Sequence, residues 1–260
     1  MKALAFKLAP RLATVISSAR GRRLSHHLVK QWGLFDLNQR LIADLGNRVI
    51  DGPFKDLILT SSSQQEHIGP YLLGTYETEL SPWWHSLLQR RFRQIIDVGA
   101  NFGYYAVGLA RRFPSVPVVA FDTDWWARRT VRQMSRANQT PNVSVKGSCS
   151  PSWLARHLEP DALIVSDCEG CEGRLFGGPG IAAFASATFV IELHESIVPG
   201  VTAKLRSAFC GTHTFEEVDS RSETPSTAIG PSLTPQEMRQ VAQEVRGPQK
   251  WFLLTPRSHS

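Results

Sequence analysis

The stretch Gln94-Ile-Ile-Asp-Val-Gly-Ala-Asn-Phe-Gly103 decides the fold, because an apolar strand runs directly into a turn that contains two glycines. The following segment, 105–113, places apolar side chains at helical spacing on one face. A strand, a tight turn and a helix in this order are typical of the first unit of an open α/β sheet. The turn then lies at the carboxyl edge of the sheet, where nucleotide-like ligands bind.

The alternation of strand and helix continues along the chain. Strand-like runs are found at 94–98, 117–121, 143–146, 162–166, 189–193, 213–219 and 250–254. Helices are predicted at 125–138, after the N-cap Asp124, and at 235–245, after the capping box Thr234-Pro-Gln-Glu237. Five strand–helix units with short connections predict an α/β fold, namely a doubly wound, mostly parallel, Rossmann-like sheet of seven strands.

The positive charge of the chain is concentrated at one end. Of 260 residues, 42% are hydrophobic and 20% are charged, which excludes a disordered chain. Residues 1–35 contain seven of the 29 lysines and arginines and no acid. Since the rest of the chain is close to neutral, no nucleic-acid partner is predicted.

The N-terminal segment has three interpretations. Its apolar residues recur at helical spacing between cations, as in a helix docked on its own domain, a helix on an anionic membrane surface, or an organelle transit peptide. Two β-like runs at 47–50 and 57–60 flank Asp51-Gly52-Pro53 and predict a hairpin. The predicted domains are an extension, 1–75, and the α/β domain, 76–260. Without a long apolar run, the chain is expected in the cytoplasm, with at most peripheral membrane contact through 1–35.

The four cysteines are too few for a disulfide scaffold and predict a reducing compartment. Cys168-Glu-Gly-Cys171 has the spacing of redox motifs, but no second pair accompanies it. Neither a zinc site nor thioredoxin-like chemistry is therefore predicted.

The turn after the first strand indicates the chemistry of the ligand. Gly99 and Gly103 lack the third glycine of the dinucleotide fingerprint, which disfavours an NAD-dependent oxidoreductase. Asp122, at the end of the second strand, can accept hydrogen bonds from ribose hydroxyls. Asp97 would repel a phosphate but would suit an ammonium group. A ligand with a ribose and an ammonium group but no phosphate is S-adenosylmethionine.

Four segments in succession resemble the signatures of FkbM-type, class I S-adenosylmethionine-dependent methyltransferases. They are Ile95-Ile-Asp-Val-Gly-Ala-Asn-Phe-Gly-Tyr-Tyr-Ala106, Val118-Val-Ala-Phe-Asp122, Ser166-Asp-Cys-Glu-Gly-Cys-Glu172 and Ile191-Glu-Leu-His194. Upstream, Gly74-Thr-Tyr-Glu77 is similar to the segment that precedes the first signature. The resemblance covers about 74–195 and does not reach 1–60. The chain departs from the family pattern at Asp122, where glutamate is more usual, and at Thr123, where proline is more usual.

The resemblance implies the class I methyltransferase fold, with S-adenosylmethionine as cofactor. It implies that the methionine part lies among the residues of the first turn, the ribose at Asp122 and the adenine beside 147–149. The predicted cofactor-binding residues are Glu77, Asp97, Gly99, Asn101, Gly103, Asp122, Ser148 and Cys149.

Methyl transfer to a hydroxyl needs alignment and a group that takes the proton of the acceptor. His194 is the predicted base, because it ends the fifth strand and its imidazole titrates near neutrality. Asp167 and Glu169 are predicted to orient the cofactor or the acceptor. Glu192 and Glu195, which flank His194, could hold its tautomer or raise its pKa. Glu172 is assigned to helix capping.

The same acids and the histidine have the donor types that suit Mg²⁺ or Mn²⁺. Acids at strand ends more often bind the cofactor or cap helices, so no metal ligand is assigned and a divalent metal is kept only as a disfavoured alternative. The sequence therefore predicts a methyltransferase that acts on a hydroxyl of a small molecule or a glycan. Two alternatives remain: a protein that binds S-adenosylmethionine without transferring the methyl group, and the disfavoured NAD-dependent oxidoreductase.

Overall fold

Two units, each with its own packing, make up the chain. One unit comprises Met1–Thr78 and Arg221–Gly247, and the other comprises Glu79–Ser220 and Pro248–Ser260. The structure is a computed structural model that describes residues 33–60, 68–178, 184–220, 232–242 and 249–257. The predicted basic helix of residues 1–35 lies outside the described residues up to position 32. The domain limits 1–75 and 76–260 stay predictions.

The strands are β1 (Gln94–Val98), β2 (Val118–Phe121), β3 (Val143–Lys146), β4 (Ala162–Ser166), β5 (Thr188–Leu193), β6 (His213–Asp219) and β7 (Lys250–Pro256). The helices are α1 (Leu34–Leu45), α2 (Ile68–Leu73), α3 (Ser81–Leu87), α4 (Tyr104–Arg112), α5 (Trp125–Ala137), α6 (Pro151–His157), α7 (Glu172–Leu175), α8 (Val201–Phe209) and α9 (Pro235–Ala242). A 3-10 turn, Thr78–Leu80, precedes α3.

The second unit contains a seven-stranded sheet in the order β3-β2-β1-β4-β5-β7-β6. Strands β1 to β5 are parallel, and β7 runs antiparallel to both β5 and β6. The strand order reverses beside β1, which places the ends of β1, β2 and β4 at one switch point. The predicted fold class, a doubly wound and mostly parallel sheet of seven strands, is confirmed.

Burial follows the position of each strand in the sheet. Every residue of β1, β2, β4 and β5 is buried, whereas β3, at the edge, alternates between half-buried and exposed residues. Both faces of the central strands are therefore covered, as a parallel sheet requires. On one face, Val201, Leu205 and Phe209 of α8 join an apolar cluster with the strand residues Ile164 and Ile191.

The predicted boundaries agree closely with the observed ones. The first six strands begin and end within one residue of their predicted limits, and β7 extends two residues further. Helix α5 begins where predicted, because the Asp124 side chain accepts the backbone N–H of Trp126 at 2.8 Å. Local signals of this kind, a cap or the end of an apolar run, define most element ends in the second unit.

The first unit joins chain segments that lie far apart in the sequence. The predicted hairpin is reduced to one antiparallel bridge, between Arg48 and Ile58. Helix α9 opens with the predicted capping box, since the backbone N–H of Thr234 donates to the Glu237 carboxylate at 2.7 Å. The same carboxylate pairs with Arg40 of α1 at 2.7 Å. Within the described residues, no helix has the length and apolar character needed to cross a bilayer.

Substituting Gly69 with alanine should destabilise the first unit. Gly69 lies in α2, and an added Cβ would overlap the backbone carbonyl and the Cγ1 of Val241 in α9. Because that contact involves backbone, relief requires the two helices to separate, at a cost of about 1–3 kcal/mol. Urea unfolding measures the change. Gly211→Ala is the control, because its added methyl meets no atom within 4 Å; equal stability of the two variants would contradict the close packing.

Candidate cofactor and acceptor site

The turn after β1 touches the loop after β4 through backbone atoms. Gly99 has a φ of 91°, and a Cβ at this position would overlap the carbonyl oxygen of Asp167. The backbone N–H of Asp167 in turn donates to the carbonyl of Val98 at 3.0 Å. Only glycine accommodates both this φ and this approach. The predicted cofactor turn and one predicted catalytic residue are therefore held in direct contact.

The carboxylate of Asp122 fixes the shape of the same turn. One of its oxygens accepts the backbone N–H of Asn101 at 2.8 Å, and the other accepts the N–H of Asp124 at 2.8 Å. Partial burial raises the pKa of Asp122, while the two backbone donors oppose the rise. Gly103 then starts α4 at a φ of 100°. The structure thus brings together Asn101, Gly103 and Asp122, as predicted, and each carboxylate oxygen of Asp122 retains lone pairs that can accept ribose hydroxyls.

Asp97 is a deeply buried carboxyl group near the end of β1. Its side chain is 2% exposed, and its Oδ2 has no hydrogen-bond partner. Burial raises the pKa of Asp97 to about 8; a backbone hydrogen bond from Ala106 lowers it, and the nearby charges of Asp167 and Asp122 raise it further. A cationic group placed beside Asp97 would stabilise its charged form.

The residues predicted to border the adenine differ in exposure. Ser148 is exposed on the loop after β3, whereas Cys149 is buried in the apolar cluster of the sheet. Burial raises the pKa of the Cys149 thiol to about 12. Ser148 is thus accessible to a ligand, and Cys149 contributes to packing. Glu77 belongs to the first unit, where it is buried at a φ of 52°.

The three predicted catalytic residues lie together at the ends of β4 and β5. The Nε2 atom of His194 is 3.4 Å from Asp167 Oδ1 and 3.7 Å from Glu169 Oε2. A fourth group, Glu192 Oε2, lies 3.4 Å from the same nitrogen. Glu192 and His194 share a face of the sheet edge because they are two residues apart on an extended strand. The cluster is therefore a direct product of the parallel pairing of β4 with β5.

The residue that orients His194 is one that the sequence does not predict. Glu172, which is fully buried at the start of α7, lies with its Oε1 2.6 Å from His194 Nδ1. This contact makes Nδ1 the protonated nitrogen and turns Nε2 towards the acids. Nothing in the sequence distinguishes Glu172 from a glutamate that caps a helix. Glu195 does not orient His194, because its carboxylate accepts hydrogen bonds from Gly200 and Thr202 at the start of α8.

The electrostatic balance at His194 favours its charged form. Burial lowers the pKa of His194, but the hydrogen bond and charge of Glu172, with the charges of Asp167 and Glu169, outweigh this effect and raise it. The ring is only 2% exposed. Exposure is larger for the side chains of Asp167, at 34%, and Glu169, at 57%. Of the three predicted catalytic residues, the two acids are those that an acceptor can reach from solvent.

The loop between β4 and α7 is closed by a disulfide between Cys168 and Cys171. The sequence predicts no disulfide scaffold, and this single short bridge is not one, but the pairing itself was not predicted. Between the two cysteines, Glu169 and Gly170 have φ values of 55° and 101°. Cys168 Sγ lies 3.5 Å from Glu172 Oε1. Because a disulfide sulfur carries no proton, this is a packing contact and not a hydrogen bond.

Comparison with known proteins yields remote structural likenesses. No protein-family model matches the chain, and no curated protein matches it. A precorrin-6Y C5,15-methyltransferase from Geobacter metallireducens is 13% identical with a TM-score of 0.45, covering 65% of this chain and 82% of its own. An rRNA methylase from Streptococcus thermophilus is 11% identical with a TM-score of 0.46, covering 70% and 97%. An S-adenosylmethionine-dependent O-methyltransferase from Thermotoga maritima is 12% identical with a TM-score of 0.45, covering 70% and 66%. Likenesses this remote carry no conclusion about activity.

Removing the buried acid Asp97 should abolish one pH dependence of stability. The pKa of Asp97 is about 8 in the folded protein, against an ordinary value of 3.8. Between these two pH values, Asp97 is therefore protonated in the folded protein and ionised in the unfolded chain. The contribution of Asp97 to the free energy of unfolding is therefore fully present below pH 4 and falls as the pH rises towards 8. Between pH 6 and 8 this decrease is about 2 kcal/mol. In Asp97→Asn, this loss should disappear.

Urea unfolding of the cofactor-free protein at pH 6 and pH 8 measures the effect. Asp219→Asn is the control, because Asp219 is an exposed residue whose side chain is 79% accessible. If Asp97→Asn and the wild-type protein lose the same stability between the two pH values, Asp97 does not carry its proton to neutral pH.

Proposed function

We propose that the chain is an S-adenosylmethionine-dependent methyltransferase. The observation that supports this most directly is the pair of carboxylates on either side of one glycine turn. Asp97, buried with an unpartnered oxygen, suits the ammonium group of the cofactor, and Asp122, at the end of the next strand, suits its ribose hydroxyls. The absence of a third turn glycine disfavours a pyrophosphate and therefore NAD.

We further propose that the chain is of the FkbM type. The four segments that resemble this family fall, in the structure, at the ends of β1, β2, β4 and β5, on one edge of the sheet. This is the arrangement expected if the segments serve one site. The departures at Asp122 and Thr123 leave the hydrogen bond from Asn101 to Asp122 intact.

S-adenosylmethionine supplies, when bound, a methyl group on a sulfonium centre. The residues of the chain then have three tasks: to bind the cofactor, to align a hydroxyl for in-line displacement and to take its proton. We assign binding to the turn that starts at Gly99 and to Asp122. We assign proton acceptance to Glu169, because it is the most exposed member of the cluster, and alignment of the acceptor to Asp167. His194, the base predicted from the sequence, is only 2% exposed and lies on the buried side of these two acids.

The acceptor is proposed to be a hydroxyl of a small molecule or a glycan. An acidic cluster repels phosphate groups, so a neutral hydroxyl-bearing compound suits it better than a nucleic acid does. Peripheral contact with an anionic membrane through residues 1–35 is a separate proposal, which is supported by the concentration of cations in that segment.

Calorimetric titration tests the cofactor assignment. S-adenosylmethionine should bind and NAD should not. Asp122→Ala should weaken S-adenosylmethionine by about one to two decades, because a charged hydrogen-bond acceptor contributes roughly 1.5–3 kcal/mol. Gly99→Val should weaken binding as well, by displacing the turn. Asp124→Asn is the matched control, because it keeps the helix cap two residues away from Asp122; unchanged affinity in both test variants would refute the site.

Release of S-adenosylhomocysteine in a screen of hydroxyl-bearing metabolites and glycans tests the transfer step. With an acceptor found, Glu169→Gln should lower the rate by about 10² to 10⁴-fold at unchanged cofactor affinity. A protein that binds S-adenosylmethionine tightly, yet releases no product with any acceptor, would favour the alternative of a binding protein without transfer activity.

A further inference from the structure

We propose that Asp167, Glu192 and His194 form a binding site for a divalent metal ion. One ligand atom from each of the three residues lies within 4.8 Å of the other two, at the adjoining ends of β4 and β5. On the sequence alone a metal is disfavoured, because strand-end acids usually have other roles. The geometry of the cluster changes that assessment, and it does so independently of the proposed methyltransferase function.

The distances within the cluster suit ligands arranged around an ion. Two ligands about 2.1 Å from a metal are separated by about 3.0 Å in octahedral geometry and about 3.4 Å in tetrahedral geometry. His194 Nε2 lies 3.4 Å from both Asp167 Oδ1 and Glu192 Oε2. A charge-assisted hydrogen bond from a protonated imidazole would instead measure about 2.7–2.9 Å. The nitrogen is therefore too far from either acid for a strong direct bond and at a suitable distance to share a cation with both.

The orientation of His194 is a second, separate observation. Its ring is 2% exposed, and its Nδ1 is engaged by Glu172, so Nε2 is the atom that points into the cluster. Among the described residues, Nε2 forms no hydrogen bond, and the facing Asp167 Oδ1 is buried without one. When Nδ1 alone carries a proton, the Nε2 lone pair faces carboxylate oxygens, which is unfavourable unless a second proton or a cation lies between them. A metal ion between them converts this repulsion into coordination.

The surroundings of the cluster match the outer shell of known metal sites. Metal-bound histidines usually donate their second ring N–H to a carboxylate, which fixes the tautomer. Glu172 occupies this position, and the backbone N–H of Gly170 holds the same Glu172 oxygen at 3.2 Å. On the opposite side, Glu169 lies 3.7 Å from Nε2 with a side chain that is 57% exposed. The site thus has a rigid buried side and a side open to water or to a substrate oxygen.

The donor set indicates which ions suit the site. Two carboxylates and one imidazole favour a hard or borderline divalent cation such as Mg²⁺ or Mn²⁺. Cys168, whose Sγ lies 3.5 Å from Glu172 Oε1, is joined to Cys171 in a disulfide, so it offers no thiolate to select a softer metal. We therefore choose Mn²⁺ as the probe, because its bound and free forms are distinguished directly by electron paramagnetic resonance.

Titration of the full chain with Mn²⁺, without cofactor or acceptor, tests the proposal. The wild-type protein should remove one equivalent of Mn²⁺ from the free-ion signal. Asp167→Asn and Glu192→Gln should each raise the dissociation constant at least tenfold, because each removes one anionic ligand. Glu172→Gln should weaken binding by about ten- to a hundredfold through the outer shell. Glu195→Gln is the matched control, because its carboxylate lies at the start of α8.

Two results would overturn the proposal: no Mn²⁺ bound by the wild-type protein at millimolar concentration, or wild-type affinity in a folded Asp167→Asn variant. Asp167 is the decisive position, because its partly exposed side chain makes the substitution compatible with folding, which circular dichroism verifies. Mn²⁺ should also raise the midpoint of thermal unfolding of the wild-type protein and leave that of Asp167→Asn unchanged. Since no methyl donor is present, failure of the methyltransferase proposal leaves these outcomes unaffected.

Discussion

The backbone contact between Gly99 and Asp167 is the constraint on which the rest of the site depends. It locks the turn after β1 against the loop after β4 and leaves no volume for a side chain at position 99. The turn also contacts Asp122, because the backbone N–H of Asn101 donates to the Asp122 carboxylate. The loop contacts His194 through the carboxylate of Asp167. A ligand bound to the turn would therefore lie at a fixed position relative to the acids at the ends of β4 and β5. Packing between two main chains is well suited to this task, because it has no rotamers to lose.

Several acids of the site are buried, which opposes folding because a buried carboxyl group loses its solvation by water. Asp97, Glu172 and Glu192 are each less than 5% exposed, and His194 contacts the last two. Burying carboxyl groups costs solvation free energy, which the packing around the site has to offset. An ammonium group beside Asp97 and a divalent ion beside Glu192 would each offset part of the free-energy cost of this burial. Ligand binding and stability are therefore expected to be strongly coupled.

The sequence predicts the sheet better than it predicts the site, for reasons visible in particular residues. Apolar runs and a cap such as Asp124 act locally, so strand and helix ends are readable from the pattern alone. The meeting of Asp167 with His194 is also predictable, because parallel neighbouring strands end at one edge. The pairing of Glu172 with His194 is not, since it depends on a one-turn helix that follows a disulfide-closed loop with positive φ values. The packing of α9 against α1 and α2 likewise depends on contacts between distant segments.

The order in which the chain is synthesised has a particular consequence for this architecture. The first unit needs α9, whose Glu237 pairs with Arg40, before it can complete its packing. The sheet needs β7, which lies between β5 and β6 and carries residues 250–256. Neither unit can therefore complete its packing until α9 and β7, respectively, have been synthesised. Until then, the apolar surfaces of the segments synthesised first stay exposed to solvent. A chain that stops before β7 lacks the strand that connects β6 to the rest of the sheet.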